Sequence, residues 1–176
     1  TPLDEEQCRK TARELVESER CAALVVAGYA TVRNPEIANR AREIAMEAVD
    51  VPVICSHEVS RRLNAVHAAQ TAIANAKLLP IIRDLMSSVH KALEEFGIQG
   101  KLMVVKGDGT PVDERIARER PVETILSGPA ASVSGARILT DLEEALVIDI
   151  GGTTTDCAII EGGHARVAPE GARIGS

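Results

Sequence analysis

Apolar and small residues first recur at helical spacing. Cys8, Ala12, Leu15 and Val16 form a stripe within Asp4 to Glu19, the pattern of one helix face. Asp4 stands where a cap belongs, with Gln7 three residues on as in a capping box. The pattern then changes. Ala22 to Ala27 is unbroken Ala-Ala-Leu-Val-Val-Ala, ended by Gly28, which predicts a strand buried on both faces. Asn34-Pro35 predicts the start of a second helix, an N-cap followed by proline at the first helical position. Ile37, Ala41, Ile44, Ala45 and Ala48 carry its stripe, and Val51 to Cys55 reads as a second short buried strand. This alternation predicts an α/β layered domain with a largely parallel sheet.

From Ser60 to Phe96 the pattern stays helical, with Ile82, Leu85, Met86, Val89, Leu93 and Phe96 on one stripe. Pro80 interrupts it, and a missing donor plus a clash with the preceding turn predict a kink or break there. Gly97 is the expected C-cap. Leu102 to Val105 reads as a third strand, ended by the turn Lys106-Gly107-Asp108-Gly109. Asp113 to Glu119 suits a short helix. Ser127-Gly128-Pro129 opens another, running to Leu139, whose small residues allow a neighbouring backbone to come close. Ala145 to Ile150 reads as a buried strand, Gly151 to Thr155 as a tight turn, and Cys157 to Ile160 as a strand. Glu161-Gly162-Gly163 then turns into Ala165 to Val167. The switch from α/β alternation to a β-meander places a domain boundary near residue 140.

Composition narrows the chemistry. In 176 residues there is one Tyr, one Phe and no Trp, so the core must be aliphatic and no aromatic cage or base-stacking platform can form. Basic residues number 20 against 26 acidic, a net charge of −6, which disfavours nucleic acid and anionic membranes. The longest near-apolar run, Cys21 to Ala30, is about half a membrane span. No secretory signal is visible, and a first residue of Thr rather than Met suggests a processed or cut-down product. Cys8, Cys21, Cys55 and Cys157 form no Cys-x-x-Cys or Cys-x-x-His pair, so no zinc site is expected. Three lie beside apolar runs and read as small buried hydrophobes, and reduced thiols fit a cytoplasmic protein. His57, His67, His90 and His164 are scattered.

The stretch that carries chemistry is Asp149-Ile-Gly-Gly-Thr-Thr-Thr-Asp156, set between two apolar strands. Gly151 and Gly152 remove Cβ atoms and let backbone N–H groups approach an anion. Thr153, Thr154 and Thr155 add hydroxyl donors suited to phosphate oxygens. Asp149 and Asp156 accept only, and beside a phosphate they require a cation between, for which Mg²⁺ is the natural choice. The stretch is neither a P-loop nor a dinucleotide fingerprint: the lysine is absent and a strand follows in place of a helix. Secondary candidates are Ser127 and Gly128 at a helix N-terminus, Lys106 and Asp108 in the charged turn, and His57 and Glu58 after a buried strand end.

These residues resemble the phosphate hairpin of the superfamily of sugar kinases, heat-shock chaperone ATPases and actin. Arg120-Pro-Val-Glu-Thr124, Leu126-Ser-Gly-Pro-Ala-Ala-Ser-Val-Ser-Gly-Ala136 and Ile148 to Asp156 are similar to the hydantoinase/oxoprolinase family. The helix start Asn34-Pro35-Glu36, the segment Val53 to Val59 and Asn75-Ala-Lys-Leu-Leu-Pro80 are similar too. The resemblance implies a layered αβα fold with a mainly parallel sheet, RNase H-like/actin-like ATPase in class and incomplete in this chain. Residues 1–100 would then be the C-terminal part of a first α/β domain and 101–140 a connecting strand and interdomain helix. Residues 141–176 would start a second domain.

The implied activity is ATP- and Mg²⁺-dependent opening of a cyclic amide, hydantoin or 5-oxoproline in class. A ring carbonyl is activated by phosphorylation and then opened by water. Asp149 and Asp156 carry over as catalytic and metal residues, and Gly151, Gly152, Thr153, Thr154, Thr155, Ser127 and Gly128 as nucleotide-binding ones. Lys106, Asp108, His57 and Glu58 are the substrate candidates. A homo-oligomer or partner subunit is expected in the full-length protein. The alternatives are a non-catalytic nucleotide-binding or assembly subunit of the same fold, or a sugar or acetate kinase relative.

Three features differ from the family pattern. Family enzymes carry an earlier Gly-Gly-Thr hairpin as well, and this chain has one. Gly107-Asp108-Gly109 stands where many oxoprolinase-like members have Asn-Gly-Gly, and Ser60-Arg-Arg-Leu-Asn-Ala-Val replaces a charged, aromatic stretch. The last two leave a hydantoinase-like substrate open. With one hairpin, the 176-residue chain alone is expected to show little or no ATPase activity. A phosphate-release assay that finds turnover at ordinary enzyme rates overturns that.

Overall fold

The computed structural model describes residues 3–166. Val167, the expected end of the last strand, lies outside them. The chain forms two compact units, Thr1–Ile98 with Arg118–Val122, and Gln99–Ala117 with Glu123–Ser176.

In the first unit, helix α1 (Glu5–Glu17) begins where Asp4 accepts the Gln7 N–H at 2.9 Å, as the capping pattern requires. Strand β1 (Leu24–Val26) pairs in parallel with β2 (Val53–Cys55), and helix α2 (Glu36–Ala48) makes the crossover between them. Asn34 accepts the Glu36 N–H at 3.0 Å, so the asparagine caps as expected while the helix starts one residue later. One turn of helix, α3 (Ser56–Val59), leads to helix α4 (Ala65–Glu95), capped by Asn64. Ala12, Leu24 and Ala45 form a small aliphatic core.

Of the kink or break expected at Pro80, the break is absent: helix α4 runs through it. Interior proline costs about 3 kcal/mol. Ala68 and Ala72 before it and Ile82 and Met86 after it are buried. Burying Ile82 and Met86 alone contributes about 1.5–3 kcal/mol each, which outweighs the lost bond. Gly97 ends the helix at φ +64°, donating to Glu94 O, while Ile98 donates to Leu93 O.

In the second unit, β3 (Met103–Val105) and β4 (Pro111–Asp113) form an antiparallel hairpin; α5 (Glu114–Glu119) and a 3-10 turn (Pro121–Thr124) follow, of which Arg118–Val122 belong to the first unit. Strand β4 has no apolar run of its own and is headed by proline, so only its turn was visible in the sequence. Helix α6 (Ser127–Thr140) precedes the antiparallel sheet β5 (Ala145–Ile150), β6 (Thr155–Glu161) and β7 (His164–Ala165). Parallel pairing among the described residues is therefore confined to β1 and β2.

The two aromatic rings lie at the surface, Tyr29 94% and Phe96 79% exposed, and the core is aliphatic as composition requires. All four cysteines are free. Cys55 is buried, but Cys157 is exposed because the strand alternation turns it outward.

Asn75 is fully buried on α4. Its amide donates to Glu119 O and accepts from Val122 N–H, both at 3.1 Å, tying Arg118–Val122 to the first unit. Asn75→Ala removes both hydrogen bonds from a fully buried position and is expected to cost about 2–4 kcal/mol. Urea unfolding of the variant beside the parent measures it.

Candidate functional site

The acidic hairpin is built by register. Strands β5 and β6 pair from Ala145↔Ile160 to Ile150↔Thr155, which sets Asp149 directly opposite Asp156. Exposure alternates along both strands, so the two aspartates share a face with Val147, Ala158 and Ile160. The Gly151 N–H closes the turn on Thr154 O at 2.9 Å. A Cβ on Gly151 would lie 3.3 Å from that oxygen, whereas one on Gly152 would meet nothing within 4 Å. A side chain at Gly151 would thus crowd the turn, whereas Gly152 leaves bare backbone facing open space. Thr153, Thr154 and Thr155 are exposed beside it.

Helix α6 reaches this face through Ser132, whose hydroxyl donates to Asp149 Oδ2 at 2.5 Å. One hint of this contact is legible in the sequence: Ser132 lies in the small-residue run that permits close approach. The donors at the hairpin are carboxylate and hydroxyl oxygens, the hard ligands that suit Mg²⁺. Among the described residues no cluster of three or more His, Cys, Asp and Glu forms a metal cage. A cation there would keep much of its water.

Ser127 and Gly128 open α6, but neither caps it. The N-cap is Leu126 in a left-handed conformation with no side-chain bond. A Cβ on Gly128 would also meet nothing within 4 Å.

Lys106 and Asp108 are brought together in the second unit. Lys106 Nζ lies 2.9 Å from Asp108 Oδ2 and 3.8 Å from Glu123 Oε2. Asp108 Oδ1 also accepts from the Thr110 hydroxyl at 2.6 Å and its N–H at 3.0 Å. The loop rests on its glycines: a Cβ on Gly107 would lie 2.3 Å from Ile125 O, and Gly109 has φ +82°. His57 and Glu58 belong to the first unit. Glu58 spends one oxygen on the Cys55 N–H at 2.9 Å and the other on Arg42. His57 Nδ1 and Ser56 Oγ are buried without a hydrogen-bond partner. Burial, then the Glu58 charge, pushes the Cys55 thiol up to about 11, so it stays protonated near neutrality.

The Lys106 hydrogen bond, followed by the Thr110 hydroxyl, holds Asp108 down at about 2. A carboxyl lowered in the folded state stabilises it above the ordinary carboxylate range, near pH 4, and loses that contribution as pH falls toward 2. At 46% exposure solvent screens the pair, so the gain is under about 1 kcal/mol. Thermal melts of parent and Asp108→Asn should differ near neutrality and converge at about pH 2.

No helix among the described residues is long and apolar enough to cross a membrane. The chain is 30% identical over 165 residues to an uncharacterized protein of Methanocaldococcus jannaschii, covering 91% of this chain and 24% of that protein. It is 26% identical over 168 residues to caprolactamase subunit alpha of Pseudomonas jessenii, covering 93% and 24%. The solved structure of ATP-dependent caprolactamase from that organism matches 90% of this chain and 23% of its own with a TM-score of 0.79 at 26% identity. Nucleotide-free acetone carboxylase, a structure from work on ATP-dependent acetone carboxylation, matches with a TM-score of 0.76 at 26% identity, over 93% and 24%. The chain thus spans about a quarter of the length of the curated relatives it matches. These likenesses bear out the α/β, actin-like ATPase fold class. The hydantoinase/oxoprolinase model matches residues 68–175, more than half of the sequence, and the chain belongs to that family.

Proposed function

We propose that this chain carries a nucleotide-phosphate hairpin of an ATP-dependent enzyme that opens a cyclic amide. The observation that carries the reading is the pairing of Asp149 with Asp156 across a turn of bare glycine backbone and threonine hydroxyls. The ATP-dependent caprolactamase and acetone carboxylase likenesses support it. Residues 1–100 are read as the closing part of one α/β domain, 101–140 as a connecting strand and interdomain helix, and 141–176 as the start of a second.

In this reading Gly151, Gly152 and Thr153 to Thr155 hold phosphate oxygens through backbone and hydroxyl donors. Asp149 and Asp156 would hold Mg²⁺, which would supply neutralisation of phosphate charge. Ser132 occupies one Asp149 oxygen and fixes the side chain, leaving Oδ1 for the ligand. Ser127 and Gly128 offer free N–H groups at the start of α6. The ring carbonyl oxygen takes the γ-phosphoryl group of ATP and ADP leaves; water adds at the carbon, the C–N bond opens to leave an acyl phosphate, and a second water releases phosphate and the carboxylate. Lys106 and Asp108 are substrate candidates only if they exchange their mutual ion pair for the ligand. His57 keeps one free buried nitrogen, whereas Glu58 serves the turn after β2. A partner subunit is part of the reading, because the caprolactamase relative is named as a subunit. An assembly role without turnover is the second reading that this name favours.

The test is ATP hydrolysis by the full-length protein with hydantoin, N-methylhydantoin, 5-oxoproline and caprolactam. Turnover that depends on one of the rings is expected. Ring-independent turnover, or none with any ring in the presence of its partner subunit, overturns the reading. Ring-dependent turnover that survives Asp149→Asn in this chain selects the assembly role. Ser132→Ala should raise the KM for Mg-ATP about tenfold, the loss of one charge-assisted hydrogen bond, and Ser132→Thr should restore it.

A further inference from the structure

Strands β1 and β2 run in parallel and stop level with each other, Val26 beside Cys55. The segments that follow them, Gly28 to Thr31 and Ser56 to Val59, therefore leave the sheet side by side. Both are fixed by their own bonds. Ala30 holds φ +59°, a left-handed conformation that a residue with a Cβ seldom adopts. Its carbonyl accepts from the Arg33 and Asn34 N–H groups at 2.8 and 2.9 Å, and the buried Thr31 hydroxyl donates to Gly28 O at 3.2 Å. This loop keeps Tyr29, the chain's one tyrosine, almost wholly exposed. After β2, Glu58 engages the Cys55 N–H and Arg42, and the Ser60 N–H donates to Ser56 O at 3.0 Å.

Two polar atoms are left over in that fixed turn. Ser56 is 1% exposed, and its hydroxyl has no hydrogen-bond partner; nor has the buried Nδ1 of His57, the next residue. Buried polar groups are nearly always bonded, and an adjacent pair of exceptions calls for a functional account. What the two atoms lack describes a ligand. A hydroxyl donates and a neutral imidazole nitrogen accepts, so the missing group presents an acceptor and a donor next to each other. A ring amide does so, because the ring holds its C=O and N–H on one edge. A trans amide points them in opposite directions, and a carboxylate or phosphate dianion has no donor. The flat ring also suits an exposed aromatic face such as that of Tyr29.

We propose that the carboxyl end of β1 and β2 seats the substrate ring: Ser56 donates to the amide oxygen, His57 Nδ1 accepts the amide N–H, and Tyr29 covers one face of the ring. The proposal rests on the ring-opening reading above and narrows its substrates to cyclic amides with an unsubstituted N–H. Both orphaned atoms are closed to solvent, so the four-residue turn α3 shifts as the ring enters.

Steady-state kinetics of the full-length protein with its partner subunit test it, using whichever of hydantoin, 5-oxoproline and caprolactam supports turnover. Ser56→Ala and His57→Ala should each raise the KM for the ring about tenfold, the loss of one hydrogen bond, and leave the KM for Mg-ATP unchanged. Tyr29→Ala should raise the ring KM and Tyr29→Phe should not. The parent should prefer the ring over its derivative methylated at the amide nitrogen by about tenfold or more, and His57→Ala should narrow that preference, which a merely structural role would not do. Rings that turn over with unchanged KM in Ser56→Ala and His57→Ala, or a preference that survives His57→Ala, overturn this proposal alone. Absence of turnover with every ring overturns the ring-opening reading and this proposal with it.

Discussion

Like charges directly opposite each other on an antiparallel pair repel, at a cost of about 0.2–1 kcal/mol. Asp149 and Asp156 are nevertheless cross-strand partners, and the structure of the second unit is arranged around that conflict. The neighbouring pairs Leu146↔Ile159, Val147↔Ala158 and Ile148↔Cys157 pin the register. A slip of one residue would send Val147 and Ala158 to the outer face and bring Leu146 or Ile159 against α6. The apolar pattern therefore holds the acidic pair in place, and Ser132 relieves part of its charge by donating to one oxygen.

The same strands show how burial written into sequence differs from burial within a segment. Ala-Leu-Val-Ile-Asp-Ile reads as a strand covered on both faces. One face packs on α6, while Leu146, Ile148 and Ile150 on the other are 64%, 53% and 78% exposed. There hydrophobicity exceeds what the described residues bury, as expected where curated relatives are about four times the length of the shared segment.

Legibility followed the range of the interaction responsible. Local signals were plain: the Asp4 cap, the Asn34 cap, the Gly97 terminus and the Gly162-Gly163 turn each depend on a few adjacent residues. The hairpin bearing Asp149 and Asp156 was legible because its glycines, threonines and flanking apolar runs are contiguous. What was missed depended on distant partners. Helix α4 persists through Pro80 because burial on both sides outweighs a local penalty. Strand β4 exists because β3 pairs with it. Ser132 acquires its role only when α6 approaches β5, a contact that no local periodicity encodes.

Internal satisfaction separates the candidate residues more sharply than their chemistry does. A polar group already paired within its unit must give up that partner to take a ligand, and the exchange gains little. Glu58 has both oxygens engaged, and Lys106 lies within ion-pair distance of two carboxylates. Their charges are largely spent on holding a turn and a loop. At the hairpin, one Asp149 oxygen is taken, while the Asp156 carboxylate and the hydroxyls of Thr153 and Thr155 make no hydrogen bond among the described residues. His57 Nδ1, buried and unbonded, is the one secondary candidate that this comparison strengthens. Residues equivalent by type, carboxylate beside carboxylate, thus divide into those that build the fold and those that it leaves free to bind.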